Sequence, residues 1–219
     1  MAITYPLSLP DSTSYESARM SAKSIVGVTR SPFTGQEQVQ KHQGQWWEFE
    51  GKLVPMSRAN AEAWIAFFIS LNGMQGTFLL GDPLGATARG VAGGTPLVNG
   101  ASQTGNSLIT DGWTASQTGI LKAGDYFQLG TGSSSKLYKV LNDANSDSGG
   151  NATFDIWPSI NTAVADNTAI TTSSAKGLFR LATNEMPFDL GQAQQYGLSF
   201  SAIGAVSYTH LTLPTTPYV

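Results

Sequence analysis

One segment of the chain is patterned as an amphipathic α-helix, and it limits the folds that the other segments can adopt. Residues 55–73 read PMSRANAEAWIAFFISLNG. Their apolar side chains recur with the period of a helix and form one stripe, which comprises Ala61, Trp64, Ile65, Phe68 and Leu71. Ser57 is an N-cap candidate, and Asn72-Gly73 supplies a left-handed stop. The stripe predicts a helix over about residues 57–72 that packs on a second layer, with Trp64, Ile65, Phe68 and Leu71 as its core face.

The other segments are short, alternate between apolar and polar residues, and are separated by turns rich in glycine. This alternation is typical of β-strands with one buried face. The chain contains 24 glycines and only 12% charged residues, which suits a turn-rich β protein. Residues 1–20 read as an arm or loop, and residues 36–54 read as a hairpin-like pair of extended segments. The other strand candidates are 21–30, 76–83, 120–130, 136–143, 151–160, 172–182, 185–190 and 196–203.

The composition changes near Arg89, where glycine, serine and threonine become frequent, and changes back near residue 172. These two breaks predict residues 1–88 plus 172–205 as one β domain with the helix, and residues 89–171 as a module inserted into it. The predicted fold class is mainly β, with a β-sandwich or split-barrel core, one flanking α-helix and an inserted small β-barrel or sandwich.

Several kinds of chemistry are excluded or disfavoured by the sequence. The chain has no cysteine, which excludes disulfides, thiolate nucleophiles and cysteine-based zinc sites. It contains no hydrolase, phosphate-loop, dinucleotide or zinc-protease motif, and a triad would have to use His42 or His210, its two histidines. The net charge of −3 does not favour binding to nucleic acid, which basic proteins bind. No apolar run in the sequence is long enough to span a membrane. We therefore expect a scaffold protein, without enzymatic activity or cofactor.

One loop partly matches a calcium site. Asp143, Asn145 and Asp147 have the stagger of the first calcium ligands, but no acidic residue closes the loop at Phe154. A turn held by short polar side chains explains the same residues. The three residues are weak candidates for metal ligands, and we expect no bound metal.

Aromatic residues are the other candidates for a site. Trp46 shares a strand face with Glu48 and Glu50, so it is a candidate for an exposed interface or glycan contact, as is Trp113 in the predicted module. Trp47 and Trp157 are expected in the core.

Residues 46–83 carry an aromatic strand (WWEFEGKLV), a PMSR step, a helix with an A-x-x-W-x-x-F stripe, and GMQGTF leading to a GDP turn. The segments GNSLITDGW, LKAGDYFQLG and KLYKVLNDANSDSGGNATFDIWPSI follow, and then GLFRL, MPFDL and YGLSFSAI. This order of motifs resembles distal tail proteins, or closely related minor tail proteins, of long-tailed bacteriophages. The middle segments resemble the β module of those proteins, and the last three resemble their closing strands.

The resemblance implies a structural virion protein that is made in the host cytoplasm and located in the tail. It implies a hexameric ring that joins the tail tube protein to tip, hub or fibre proteins of the baseplate, without sequence-specific nucleic acid or membrane binding. The alternative is a carbohydrate-binding β module that mediates host-surface attachment.

The last residues differ from the rest of the chain. From about Val206 to the end, residues 206–219 carry no Asp, Glu, Lys or Arg, and VSYTHLTLPT resembles the translation of a sequencing-library adapter. We therefore expect this tail to be non-native, which removes His210 from any site.

Overall fold

A computed structural model describes residues 3–10, 14–190 and 195–205. The fold is mainly β with one α-helix, which confirms the predicted fold class. The interpretation of residues 206–219, with His210, lies outside the described residues. In chain order the elements are β1 (Leu7–Ser8), β2 (Tyr15–Arg30), β3 (Glu37–Leu53), β4 (Met56–Ser57), α1 (Arg58–Ser70), β5 (Phe78–Leu80), β6 (Gly94–Val98), β7 (Gln103–Trp113), β8 (Tyr126–Leu129), β9 (Lys136–Val140), β10 (Ala152–Val164), β11 (Ile170–Thr171), β12 (Gly177–Leu181), β13 (Phe188–Leu190) and β14 (Gln195–Gly204).

The first sheet is mixed and has eight strands. Its main path runs β1-β5-β12-β14-β3-β2, while β4 and β13 pair with β14 beside this path. Strands β1 and β5 are parallel, and the other pairs are antiparallel. Helix α1 packs on this sheet through aromatic rings: Phe68 lies 5.1 Å from Phe200 of β14, and Phe67 lies 5.6 Å from Phe78 of β5, between ring centroids.

The second sheet is a nearly closed antiparallel barrel of six strands, in the order β11-β8-β9-β10-β7-β6. Its first and last strands approach each other, because Leu97 and Ala169 form an antiparallel bridge. The amide of Val98 also donates to the carbonyl of Thr168 at 3.0 Å. A separate apolar core fills the barrel, built around Leu108, Ile120, Leu121, Phe127, Phe154 and Ile156.

The barrel strands enter the chain between two strands that are direct neighbours in the first sheet. Strand β5 precedes the barrel, strand β12 follows it, and Leu80 of β5 pairs with Gly177 of β12. The chain therefore leaves the first sheet and returns to it at one place.

The predicted helix exists, with differences in its details. Ala61, Trp64, Phe68 and Leu71 are buried, as is Phe67, whereas Ile65 is only half-buried. The backbones of Asn72 and Gly73 are left-handed, with φ of 51° and 65°, as the predicted stop requires. Ser57 is the N-cap residue, but its hydroxyl makes no capping hydrogen bond. Its backbone pairs instead with Gln195 of β14.

Two expectations for the N-terminal third were wrong. Residues 15–20 are not part of an arm but begin β2, where Tyr15 and Met20 pack against the core and the four residues between them are exposed. Residues 36–54 are not two segments but contain the single strand β3. Gly44, within this range, lies where the register shifts between the Ser24–Gln45 and Val26–Lys41 pairs. A β-bulge and a turn favour the same residue, so the local sequence does not distinguish them.

Candidate assembly surface

Strands β2 and β3 form a hairpin whose outer half extends beyond both cores. We call residues 24–43 the distal hairpin. Every residue in this range is exposed except the half-buried Ser31. A β-ribbon that is solvated on both faces buries little apolar area of its own, and isolated hairpins are marginally stable in water. The distal hairpin therefore has the form of an element that is completed by a partner.

The two faces of the distal hairpin differ in chemistry. Val28 pairs with Val39, and Val26 pairs with Lys41, so three valines share one face. These valines are between 48% and 62% exposed. The opposite face is polar and uncharged along its outer part, with Thr29 opposite Gln38 and Gly27 opposite Gln40. We call the first of these surfaces the valine face.

The tip of the hairpin is an ordered turn that presents an aromatic ring. Phe33 is 95% exposed. The Ser31 hydroxyl accepts hydrogen bonds from the amides of Phe33 and Thr34, at 3.4 and 3.3 Å. The Ser31 carbonyl accepts another from Gly35 at 3.0 Å. Because the turn is hydrogen-bonded internally, Phe33 is held in solvent by a defined backbone.

Strand β2 is also an open edge of the first sheet. It has 16 residues, and within the described chain β3 is its sole strand partner. Open edges of this length are templates for pairing with another chain, and charged side chains usually restrain them. Here the cations are paired with anions of β3: Lys23 lies 3.3 Å from Glu48, and Arg19 lies 3.9 Å from Glu50. These exposed pairs leave the edge close to neutral.

The base of the hairpin is joined to the barrel by buried polar groups, in what we call the seam. The Gln45 side-chain oxygen accepts hydrogen bonds from the amide and hydroxyl of Ser159, at 2.7 and 2.8 Å. The Trp47 ring donates through Nε1 to the Leu137 carbonyl at 3.0 Å. It also packs edge-on against the Trp157 ring, with centroids 4.4 Å apart. These contacts link β3 to β9 and β10.

A small cleft of about 70 Å³ opens along the seam. Its lining includes Trp46, Tyr138, Pro158 and Leu178, together with Lys136. Within the described residues, Lys136 has neither a hydrogen-bonded nor an ion-paired side-chain partner. Burial lowers the pKa of Lys136, because desolvation disfavours the charged ammonium. The cleft thus combines an apolar wall with an unpaired, half-buried cation, and we call it the seam cleft.

The two predicted aromatic contact residues lie in different places. Trp46 is half-buried in the wall of the seam cleft, and its Nε1 donates to Glu48 at 3.1 Å. Trp113 is buried, with 5% of its surface exposed. It donates to the Thr110 hydroxyl at 2.9 Å and packs against Phe154 inside the barrel. The structure therefore does not bring these two tryptophans together.

The three weak metal candidates accept hydrogen bonds from loop residues: Asp143 and Asn145 from the loop that precedes β8, and Asp147 from its own loop. The carboxylate of Asp143 accepts from the Ala123 amide at 2.8 Å, and the side chain of Asn145 accepts from the Gly119 amide at 2.7 Å. Asp147 accepts from the amide and side chain of Asn151, and the hydrogen bonds from Asn151 lower its pKa. Among residues 3–10, 14–190 and 195–205, no group of three His, Cys, Asp or Glu side chains is arranged to hold a metal ion.

Sequence reasoning missed the surface that the hairpin presents. Pro32 and Gly35 are turn residues, and Val26 and Val28 alternate with polar or small residues before them. Pairing of this alternation with Val39 across the turn was the available signal. The sequence does not show that both faces of the hairpin are exposed, because this depends on how far the barrel extends along the hairpin.

His42, the remaining described histidine, is exposed on β3. No helix in the described chain has the length and apolar character needed to cross a membrane.

Comparison with known proteins gives one family. Residues 85–180 match the family model described as the distal tail protein pb9, B domain. No curated protein matches the chain significantly. The matched range contains all six strands of the barrel, and a distal tail protein domain implies a structural role in a phage tail. The resemblance to phage distal tail proteins is thereby confirmed over residues 85–180, which match the B domain of that family.

Proposed function

We propose that the protein is a structural component of a phage tail that assembles with copies of itself into a closed ring. The ring, with six copies as the resemblance implies, joins the tail tube protein to the proteins of the tip or baseplate. The observation that carries this proposal is the distal hairpin, which is ordered at its tip, exposes three valines beside charged residues on one face, and is left uncovered by the described residues. We take the partner to be a second copy of the chain, because identical chains carry the same contact surfaces and supply them in equal numbers.

The open edge of β2 supports self-assembly. A neighbouring chain can add a strand to this edge, and the paired charges of β2 and β3 do not repel it. Ring closure needs two different surfaces on each copy, since a contact between identical surfaces stops at a dimer. The barrel and the hairpin lie on different parts of the chain, so one copy offers such different surfaces.

Several features agree with a structural rather than a catalytic role. The matched family consists of structural phage proteins. Cations and anions alternate along the hairpin and most of them form pairs, so the hairpin presents no continuous basic patch for tight binding of DNA that passes along a tail. Glycan binding gains no support from the aromatic side chains, because Trp113 is buried in the barrel and Trp157 packs against Trp47 in the seam.

The proposal is tested by self-association of the full chain. Replacement of Val26, Val28 and Val39 by serine removes the valine face while keeping an exposed, polar hairpin. Loss of three partly exposed valines from an interface is expected to weaken self-association by about tenfold or more. Sedimentation velocity and native mass spectrometry measure the oligomer.

A matched control replaces Thr29, Gln38 and Gln40 with serine on the opposite face, and it should assemble like the parent chain. A parent chain that stays monomeric over the whole concentration range would contradict the ring. Equal weakening by both triple variants would show that the valine face is not specific.

A further inference from the structure

The hairpin tip and the seam cleft carry complementary groups at distant places in one chain. The tip presents the exposed ring of Phe33 and, close to it, Glu37. The cleft presents an apolar wall with Trp46 and Pro158, and the unpaired Lys136. An aromatic ring can pack on the wall, and a carboxylate offers the ion pair that Lys136 lacks among the residues that the structure describes.

The charge at the tip is available for such a contact. Glu37 faces Arg30 at 3.8 Å, but both side chains are more than half exposed. Exposed ion pairs of this kind contribute little to stability. Glu37 therefore loses little when it leaves Arg30 and pairs with a cation in a less solvated cleft. Lys136 gains more from an anion than an exposed lysine does, since it is already partly desolvated.

The tip cannot occupy the cleft of its own chain. Glu37 and Trp46 are nine steps apart on the single strand β3, which places them roughly 30 Å apart at the usual rise per residue. The occupant must therefore come from another molecule. A contact between two different surfaces of identical chains is heterologous and can close into a ring.

On this basis, and resting on the proposed self-assembly, we propose that the hairpin tip of one copy docks in the seam cleft of the next. The Phe33 ring packs against the apolar wall, and Glu37 pairs with Lys136. An aromatic side chain that is desolvated at the centre of a contact is a frequent anchor of binding energy, and Phe33 is the ring that the tip offers for this role.

Charge exchange in the full chain tests the pairing. Glu37→Lys and Lys136→Glu are each expected to weaken self-association by about tenfold or more, and the double variant is expected to regain most of it. Phe33→Ala is expected to weaken self-association similarly, and it leaves the fold intact because the ring is exposed. Lys122→Glu, at an exposed lysine outside the cleft, is the matched control. Circular dichroism of each variant checks the fold.

Mixing two variants gives a second, independent measurement. Phe33→Ala keeps an intact cleft, whereas Lys136→Glu keeps an intact tip. Their mixture can form one tip-to-cleft contact per pair of chains, so native mass spectrometry should show heterodimers but not rings.

The outcomes separate this contact from the proposed function. Rings that form normally in all single variants overturn the docking contact and leave the ring standing. Weakening by both charge reversals without recovery in the double variant overturns the Glu37–Lys136 pair. A parent chain without any self-association overturns both. If Phe33→Ala self-associates normally but is not incorporated into assembled tails, another tail protein occupies the tip, and docking between copies is again overturned.

Discussion

At the scale of single residues, Asp125 is the side chain in the segment before β8 whose removal should lower the free energy of unfolding most. Its carboxylate is buried and accepts hydrogen bonds from the amides of Arg89, Gly90 and Lys122, at 3.0, 3.0 and 2.9 Å. The Arg89 guanidinium donates a further bond at 3.2 Å. Asp125→Ala would leave the amides without this acceptor, and we expect a loss of about 3 kcal/mol in the free energy of unfolding. Urea titration measures it.

The exposed Asp143 provides the comparison, since it accepts one bond from the Ala123 amide. We expect Asp143→Ala to cost less than about 1 kcal/mol, because the freed amide can bond water. Equal losses in the two variants would contradict the role of burial.

The same carboxylate should make stability depend on pH. Burial raises the pKa of Asp125, but the hydrogen bonds from the amides of Lys122, Arg89 and Gly90 and from the Arg89 side chain outweigh it, so the net pKa is lowered. A lowered pKa in the folded state stabilises the protein above the unfolded value of about 3.9, and this stabilisation is lost as the pH falls. We expect the parent chain to lose more stability than Asp125→Asn on acidification below about pH 4. Parallel thermal-melt curves for the two proteins would contradict this.

At the scale of elements, helix α1 shows what a hydrophobic stripe predicts. The stripe located the helix and most of its buried face, because many large side chains at one period leave few alternatives. It assigned Ile65 to the core face and omitted Phe67, because the sequence does not show which flank of the stripe the sheet covers. In the structure Phe67 packs against Phe78 of β5. Local pattern also failed for β3, where Gly44 lies at a bulge that only the register with β2 reveals.

This difference within the helix is measurable. Phe67 is 7% exposed and packs against Trp64 and Phe78. We expect Phe67→Ala to cost roughly 3–5 kcal/mol, as large truncations in cores do, and Ile65→Ala clearly less. Ile69→Ala, at a side chain that is 70% exposed, is the control with a loss below about 1 kcal/mol. Denaturant unfolding ranks the three, and an equal cost for Ile65 and Phe67 would contradict the packing.

At the scale of the whole molecule, the two cores depend on each other unequally. Every buried member of the barrel core comes from the residues between Val98 and Ile170. The core of the first sheet also includes Tyr126 and Leu137 from the barrel. We propose that the residues of the inserted module, 89–171, fold without the rest, whereas the first domain, 1–88 plus 172–205, needs the module to cover Trp47.

Two variants test this asymmetry. A fragment of residues 85–180 is expected to give a dispersed NMR spectrum and cooperative unfolding. A chain in which a short glycine linker joins Ala86 to Ser174 should keep its helix by circular dichroism. It should also lose stability and shift its tryptophan fluorescence to the red, because Trp47 becomes exposed. An unfolded fragment together with a fully stable remainder would contradict the proposed dependence.

The place where the barrel joins the first sheet has a consequence for how such a chain changes over evolutionary time. Leu80 and Gly177 are paired neighbours, and the Ser174 amide bonds the Ala86 carbonyl at 2.6 Å, so a whole domain occupies the position of a hairpin loop. The entropic cost of closing a loop grows only with the logarithm of the loop's length, so added residues raise it little. Changes of length within the inserted segment can therefore accumulate at small entropic cost, without changing any strand register of the first sheet.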